Sequence, residues 1–268
     1  MSDIPFHKAR KRFGQNFLHD HGIIQRISHS INPRPGDRIV EIGPGQGALT
    51  EYMLEGAGAL DVIELDRDLI PTLKLRFGLN KDFHIHEGDA LKFDFTALKT
   101  DDRLLRIVGN LPYNISTPLI FHLLAHQNII RDMYFMLQKE VVMRLAAQAG
   151  DKHYGRLGIM TQYYCSVDYL FTVGPGAFNP PPKVDSAIVR LTPHKILPHP
   201  CKDIKKLEEV VRDAFGQRRK TIRNTLKKHL TVEELESLNI DSGARPEVLM
   251  VADYVRIADY LINKESGI

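Results

Sequence analysis

Short apolar runs alternate with amphipathic segments along the first half of the chain, and this alternation constrains the fold more than any other feature. The β-branched run "DRIVEIG" (37–43) leads into the glycine-rich "GPGQG" and then into "ALTEYMLEGAG", where the apolar residues have helical spacing. The order recurs in "ALDVIELD" before "RDLIPTLKLRF", in "RLLRIVGNLPY" before "STPLIFHLLAHQ" and in "IRDMYFMLQ" before "KEVVMRLAAQ", while "DFHIHEGDA" adds a further strand. Strands that alternate with helices predict a parallel, doubly wound α/β sheet.

The remaining third of the chain changes character. "YLFTVGPGAFNPPPKVDSAIVRL" predicts two strands that close the sheet edge as a hairpin, and the proline-rich "TPHKILPHPCKD" predicts a domain boundary. Beyond it, "IKKLEEVVRDAF", "QRRKTIRNTLKKH", "TVEELESL" and "RPEVLMVADYVRIADYLIN" are each predicted to be helical, with a capping box at Thr231 and Glu234 and Pro246 in a first turn. We therefore predict a domain of residues 1–195 and a smaller, all-helical domain of residues 196–268.

Composition and residue spacing argue against a disulfide-stabilised, a metal-binding and a membrane protein. The 268 residues carry a net charge of only +3, so the distribution of charge says more than its sum. Cys165 and Cys201 lack the spacing of a disulfide framework or a zinc site, and the scattered histidines of "HDH" and "HIH" have no partner cluster, so no metal is expected. With no signal peptide and no long apolar run, the chain is expected to be cytoplasmic, with no membrane association.

Polar and glycine residues follow the predicted strands, at the edge where doubly wound sheets bind ligands. Gly43, Gly45 and Gly47 have the spacing G-x-G-x-G, which misses the dinucleotide fingerprint and by itself also suits a tight turn. Glu64 ends the second strand at the position of an acid that accepts hydrogen bonds from ribose hydroxyls, with Asp66 as a nearby competitor.

Asp89 follows the third strand. It could accept a hydrogen bond from an adenine amine, although a helix N-cap would look the same. Together with the glycines and Glu64, it describes a site with the shape of adenosine, which leaves the rest of the ligand open.

The stretch "GNLPYNIS" (109–116) suggests what else is bound. If the ligand is S-adenosylmethionine and the methyl acceptor is an exocyclic adenine amine, that amine is a poor nucleophile because its lone pair is delocalised. The Asn110 oxygen and the Leu111 carbonyl could accept its two N–H groups and turn the lone pair toward the methyl group. Tyr113 would stack on the adenine, although a proline turn with a core tyrosine would explain "NLPY" alone.

The chain resembles the KsgA/RsmA family of small-subunit ribosomal RNA adenine dimethyltransferases. The resemblance covers nearly the whole chain, through "RFGQNFL", "EIGPGQGALT", "VIELD", "EGDAL", "GNLPYNIS", "LQKEVVMRLAA", "YGRLG", "FNPPPKVDSAIVRL" and "FGQRRKTIRNTL". It implies a Rossmann-like S-adenosylmethionine-dependent methyltransferase sheet with a smaller helical C-terminal domain. The implied reaction is N6,N6-dimethylation of two adjacent adenosines in the 3′-terminal hairpin loop of 16S rRNA, late in small-subunit biogenesis.

The resemblance also implies site residues that the patterns do not reveal. Asn16 and Leu18 would join Gly43, Glu64, Asp89 and Asn110 around the cofactor, and Phe178 would cover the face of the adenine opposite Tyr113. The implied RNA contacts come from two basic clusters, one near each end of the chain: Lys8, Arg10, Lys11, Arg12, Arg218, Arg219, Lys220 and Arg223.

Two other functions stay open at this stage. The chain could be an assembly checkpoint that mainly occupies the immature small subunit, or it could methylate large-subunit rRNA. We expect 16S rRNA within the immature small subunit as its partner and a monomer with no obligate protein partner.

Overall fold

The computed structural model describes residues 15–112, 114–217 and 219–267. Contacts between α-carbons divide the chain into two compact units. The first comprises residues 1–142 and 168–193, and the second comprises residues 143–167 and 194–268. Lys8, Arg10, Lys11, Arg12, Tyr113 and Arg218, all predicted site residues, lie outside the described residues.

The elements are numbered in chain order. The strands are β1 (Phe17–Leu18), β2 (Arg38–Ile42), β3 (Leu60–Glu64), β4 (Phe83–Glu87), β5 (Leu105–Asn110), β6 (Ile130–Gln138), β7 (Cys165–Val173), β8 (Phe178–Asn179) and β9 (Ser186–Pro193). The helices are α1 (His21–Ile31), α2 (Thr50–Ala57), α3 (Ile70–Phe77), α4 (Ser116–Leu124), α5 (Lys139–Ala146), α6 (Arg156–Tyr164), α7 (Ile204–Ala214), α8 (Ile222–Thr225), α9 (Val232–Ser237) and α10 (Val251–Ser266).

The first unit is built on a seven-stranded sheet of order β4-β3-β2-β5-β6-β9-β7. Strands β2 to β6 pair in parallel and β9 pairs antiparallel to β6, which confirms the predicted parallel sheet with β-strands closing one edge. The central strands are apolar because they are covered on both faces, as Val40, Ile107 and Val108 show by their complete burial.

The chain runs outward from β2 through β3 to β4 and then returns to place β5 on the other side of β2. The order of strands therefore reverses between β2 and β5. In a parallel sheet this reversal opens a crevice at the carboxyl ends of the two strands, because the connections that follow them leave in opposite directions.

The second unit is helical. Helix α10 packs against α7, and α6 packs against both. Residues 143–167 belong to this unit for that reason, whereas the sequence predicted one boundary between residues 195 and 196.

Among the local predictions for this unit, the capping box is confirmed and the long helix is wrong. The capping box is present, since the Thr231 hydroxyl accepts from Glu234 N and the Glu234 carboxylate accepts from Thr231 N. The long helix predicted over "QRRKTIRNTLKKH" is wrong: of the residues that the structure describes there, only the four of α8 are α-helical. Within the described residues, no helix combines the length and apolar character needed to cross a membrane.

Candidate active site

A cavity of about 360 Å³ lies at the carboxyl ends of β2, β3 and β5, where the strand order reverses. It brings together every described residue that the sequence predicted for the cofactor or the adenine. These lining residues are Asn16, Leu18, Gly43, Gly45, Glu64, Asp89, Asn110, Leu111 and Phe178.

The glycine turn between β2 and α2 forms one wall of the cavity. Gly43 and Gly45 have φ values of 66° and 59°, a region that side chains with a Cβ rarely adopt. A Cβ at Gly43 would meet no atom within 4 Å, so the backbone there is open to a ligand. A Cβ at Gly45 would lie 3.2 Å from the Phe17 ring, so this glycine also permits close packing.

Glu64 lies beside this turn and is only 6% exposed. One carboxylate oxygen accepts from Asp66 N at 2.8 Å, and the other accepts from Gly45 N at 3.3 Å. Burial raises the pKa of this carboxyl above its ordinary value, while these backbone donors oppose the rise. Leu65 N is a third backbone donor to this carboxylate. Because two carboxylate oxygens offer about four acceptor positions, capacity remains for a ligand hydroxyl.

Glu41 is a second buried acid in the cavity wall, and the sequence analysis did not identify it. It is 2% exposed, and its carboxylate accepts from the Thr50 hydroxyl at 2.6 Å. Burial raises its pKa from 4.5 to about 7. Glu41 lies two residues before Gly43 in the sequence. Nothing in the sequence pattern distinguished it from a solvent-exposed strand residue.

Asp89 follows β4 and lines the cavity. One of its carboxylate oxygens accepts from Leu91 N at 3.0 Å, and the turn that it caps is not part of a helix. The helix N-cap alternative therefore does not apply, and the remaining carboxylate oxygen is the candidate ligand acceptor.

Asn110 ends β5 beside β2. Its amide nitrogen donates to the Asn16 carbonyl at 3.1 Å.

The next residue, Leu111, donates its backbone N–H to Met136 O at 3.1 Å. Within the described residues, the Leu111 carbonyl accepts no backbone hydrogen bond, which leaves it available to a ligand. The Leu111 side chain is buried, so it also contributes to packing.

Phe178 reaches the same cavity from a distant part of the chain. It belongs to β8, which pairs antiparallel with β1 so that Leu18 opposes Phe178 and Phe17 opposes Asn179. Phe178 is 3% exposed and packs in the apolar core around β1 and α1. No local signal in the sequence indicated this approach, since about 160 residues separate the two strands.

Gln15 and Phe17 also line the cavity, and the sequence analysis missed both. The Gln15 amide donates to the Asp66 carboxylate at 2.9 Å. The Asp66 carboxylate therefore forms a hydrogen bond with the N-terminal segment. This contact distinguishes it from Glu64, the other acid considered as the acceptor for ribose hydroxyls.

The described members of the predicted C-terminal basic cluster are Arg219, Lys220 and Arg223. All three side chains are exposed. None of the three forms an ion pair within the described parts of the chain. Unpaired surface cations of this kind are suited to phosphate contacts.

Potential ligand atoms of Glu209, Asp213 and His229 lie within 4.8 Å of one another in the second unit. Asp213 bonds to both Arg212 and His229 at 2.8 Å, and these partners lower the pKa of its carboxyl. Ion pairing therefore accounts for this cluster.

The sheet order and the position of the cavity define a Rossmann-like α/β protein with its ligand site at the reversal of strand order. The chain is similar to the crystal structure of a dimethyladenosine transferase from Plasmodium falciparum, with a TM-score of 0.79 and 28% identity over 94% of this chain and 98% of that one. The 23S rRNA methyltransferase ErmE shares the fold, with a TM-score of 0.74 and 24% identity over 92% of this chain and 100% of that one.

The family model described as ribosomal RNA adenine dimethylase matches residues 6–263. The chain belongs to this family. It is 64% identical to the ribosomal RNA small subunit methyltransferase A of Pseudomonas aeruginosa over 97% of each chain, and 65% identical to that of Marinobacter nauticus over 97% of this chain and 94% of the other. The protein is therefore an enzyme that methylates ribosomal RNA with S-adenosylmethionine as the methyl donor.

Proposed function

We propose that this cavity dimethylates N6 of two adjacent adenosines in the 3′-terminal hairpin loop of 16S rRNA, during late assembly of the small subunit. The observation that carries the proposal is that Asn110 and Leu111 line the same cavity as the glycine turn and Glu64. Acceptors for an adenine amine thus lie beside a site suited to an adenosyl cofactor.

The residues of the cavity fit S-adenosylmethionine. The backbone at Gly43 is open to a ligand, Gly45 lets the Phe17 ring pack closely beside the turn, and Glu64 keeps acceptor capacity for the ribose. Asp89 would accept from the adenine amine of the cofactor, and Asn16 and Leu18 would close the cavity. When bound, the cofactor supplies an electrophilic methyl group on a sulfonium.

The chain's own contribution to the reaction is orientation. The Asn110 oxygen and the Leu111 carbonyl would accept the two N–H groups of the substrate amine, which turns its lone pair away from the ring plane and toward the methyl group. Tyr113 and Phe178 would hold the adenine between two aromatic faces after it leaves its loop. The amine lone pair would form the new N–C bond as the bond between the methyl carbon and the sulfonium sulfur breaks. The sulfur would keep that electron pair as a neutral thioether, and the nitrogen would then release a proton to solvent.

Affinity for the RNA is assigned to the basic clusters. Arg219, Lys220 and Arg223 would contact phosphates without reading sequence, together with Arg218 and the N-terminal Lys8, Arg10, Lys11 and Arg12. We assign this role to the helical C-terminal unit and the N-terminal segment. The immature small subunit is the expected substrate particle, the cytoplasm the expected location, and a monomer the expected form.

The comparisons favour this substrate over large-subunit rRNA. The relatives with 62% to 65% identity are named small subunit methyltransferases. The 23S rRNA enzyme, at 24% identity, supports only the shared fold. An assembly role without catalysis would leave the acceptor geometry at Asn110 unexplained.

The proposal is tested by incubating small-subunit particles that lack the modification with the protein and S-adenosylmethionine, and then analysing nucleosides and RNA fragments by mass spectrometry. N6,N6-dimethyladenosine confined to the 3′-terminal region is the expected product, and a reaction without cofactor is the control. Tight particle binding without product would instead support the assembly role. Product in large-subunit particles would refute the assigned substrate.

A further inference from the structure

Residues 15–18, here called the crossing segment, pass over the carboxyl ends of several strands that are far apart in sequence. Gln15 bonds to Asp66 after β3 at 2.9 Å. The Phe17 ring lies against Gly45 after β2. At the far end of the segment, Leu18 is paired with Phe178 of β8. The crossing segment is therefore anchored at both ends, with Asn16 between the two anchors.

The Asn16 backbone carbonyl accepts the hydrogen bond from the Asn110 amide nitrogen. A side-chain amide has a donor end and an acceptor end of nearly the same shape, so its neighbours decide which end faces a ligand. A carbonyl beside Asn110 can only accept. It therefore holds the nitrogen of the amide and leaves the oxygen for the cavity.

The choice of amide end matters for the proposed reaction. With the oxygen toward the substrate, Asn110 accepts from the adenine amine. With the amide reversed, two donors would face each other, and the amine would lose one of the acceptors that orient its lone pair.

We propose that Gln15 is a positioning residue for methyl transfer: its bond to Asp66 holds the Asn16 carbonyl where it orients the Asn110 amide. This inference rests on the proposed role of Asn110 and adds a residue that does not touch the adenine. Asp66 suits the anchor because it is 2% exposed and its carboxylate also accepts from Asp68 N at 3.3 Å.

The coupling also links the two binding events. The carboxylate that anchors Gln15 belongs to a residue whose backbone N–H donates to Glu64. Three hydrogen bonds therefore connect Glu64 with the Asn110 amide. Asp66 N donates to Glu64, the Gln15 amide donates to the Asp66 carboxylate, and the Asn110 amide donates to the carbonyl of Asn16, the residue after Gln15.

The test is a double-mutant cycle with Gln15→Ala and Asn110→Ala, measured as single-turnover methyl transfer with excess protein, saturating S-adenosylmethionine and labelled methyl. Gln15→Ala is expected to lower the rate roughly 10-fold to 100-fold in the wild-type background, as expected when a reacting group is displaced. In the Asn110→Ala background it is expected to lower the rate no further, because the amide that it positions is absent.

Two further variants test whether Gln15→Ala lowers the rate only by destabilising the folded protein. His19→Ala changes an exposed side chain next to the crossing segment and is expected to leave the rate unchanged. Gln15→Glu combined with Asp66→Asn exchanges the amide and the carboxylate while preserving a hydrogen bond between them. This exchange is expected to recover most of the rate that Gln15→Ala loses.

An equal loss in both backgrounds, or a Gln15→Ala protein as fast as wild type, would overturn the inference. Failure of the exchanged pair to exceed Gln15→Ala would do the same. The wild-type protein is measured in the same assay. If the wild-type protein forms no product, the proposed function fails. If it forms product and one of the contradicting results is found for the variants, only the inference about Gln15 fails.

Discussion

At the residue scale, Asn110 is the side chain on which the proposed chemistry depends most directly. Its amide lies at the end of β5, bonded to the Asn16 carbonyl and facing the cavity. The sequence predicted its role from the order of residues in "GNLPYNIS". The sequence could not reveal the partner of the amide nitrogen, because Asn16 is 94 residues away.

We predict that Asn110→Ala lowers kcat by about 10²-fold to 10³-fold, the usual cost of removing one preorganised hydrogen-bond partner of the reacting group. Cofactor affinity should fall only a few-fold, because the glycine turn and Glu64 are intact. Steady-state kinetics and calorimetric titration with S-adenosylmethionine measure the two effects. Asn128→Ala, the same change at an exposed site, is the control, and undiminished turnover in Asn110→Ala would contradict the mechanism.

Glu41 predicts a pH dependence of stability. Burial raises its pKa from 4.5 to about 7, so between these values the unfolded chain has released the proton while the folded chain retains it. The free energy of unfolding should therefore fall as pH rises from about 4.5 to about 7 and level off above that. Burial of Glu64 acts in the same direction.

In Glu41→Gln this fall should shrink, by roughly 3 kcal/mol at most for the full shift. Urea unfolding of both proteins at intervals between pH 5 and pH 8 measures the difference. Parallel curves for wild type and Glu41→Gln would mean that Glu41 does not titrate in this range.

At the element scale, the glycine turn shows how a short loop serves two purposes. Its positive φ angles let the chain pass from β2 into α2, and its lack of side chains exposes backbone to the cavity. Strand and helix periodicity predicted β2 to β6 and α2 to α5 correctly. It missed α1 and α6 as elements. It overestimated α8, a helix of four residues, because so short a helix owes its stability to tertiary packing more than to local pattern.

We predict that Gly45→Ala lowers the free energy of unfolding by roughly 1–2 kcal/mol, since the new Cβ must adopt φ near 59° and lies 3.2 Å from Phe17. S-adenosylmethionine affinity should fall as well, because the crossing segment is displaced. Thermal or urea unfolding and calorimetric titration check the two effects. Gly176→Ala, where a Cβ meets no atom within 4 Å, should change neither quantity, and equal behaviour of the two variants would refute this explanation.

At the scale of the whole molecule, the two units divide the proposed work. The first holds the cavity, and the second holds the exposed cations Arg219, Lys220 and Arg223. A net charge of +3 hides this distribution, since many other cations are paired with carboxylates, as Arg106 is with Asp132 at 2.8 Å.

We predict that Arg219→Gln combined with Arg223→Gln weakens binding to small-subunit RNA and reduces the slope of log K against log salt by about 1 for each phosphate that the protein no longer neutralises. Binding titrations between low and moderate salt measure that slope. The matched control is Lys81→Gln with Lys99→Gln, since these residues precede β4 and β5 at the edge of the sheet opposite the cavity. A slope equal to that of wild type would remove these two arginines from the RNA interface.

Features that depend on neighbours along the chain could be predicted from the amino-acid sequence. The period of apolar residues specified the parallel sheet. Glycines and polar residues after the strands marked the edge where ligands bind, because every parallel strand ends at the same edge. The order of "GNLPYNIS" predicted Asn110 and the Leu111 carbonyl as the acceptors for the adenine amine, and this role stays a prediction.

Features that depend on segments distant in sequence became visible in the folded chain. It brought Gln15 to Asp66, the Asn16 carbonyl to Asn110 and Phe178 to Leu18, and it grouped residues 143–167 with the C-terminal helices. It also buried Glu41 and thereby raised its pKa. Local preferences cannot specify such contacts, because they arise from the packing of whole elements, which sets both the partners of a side chain and its exposure to water.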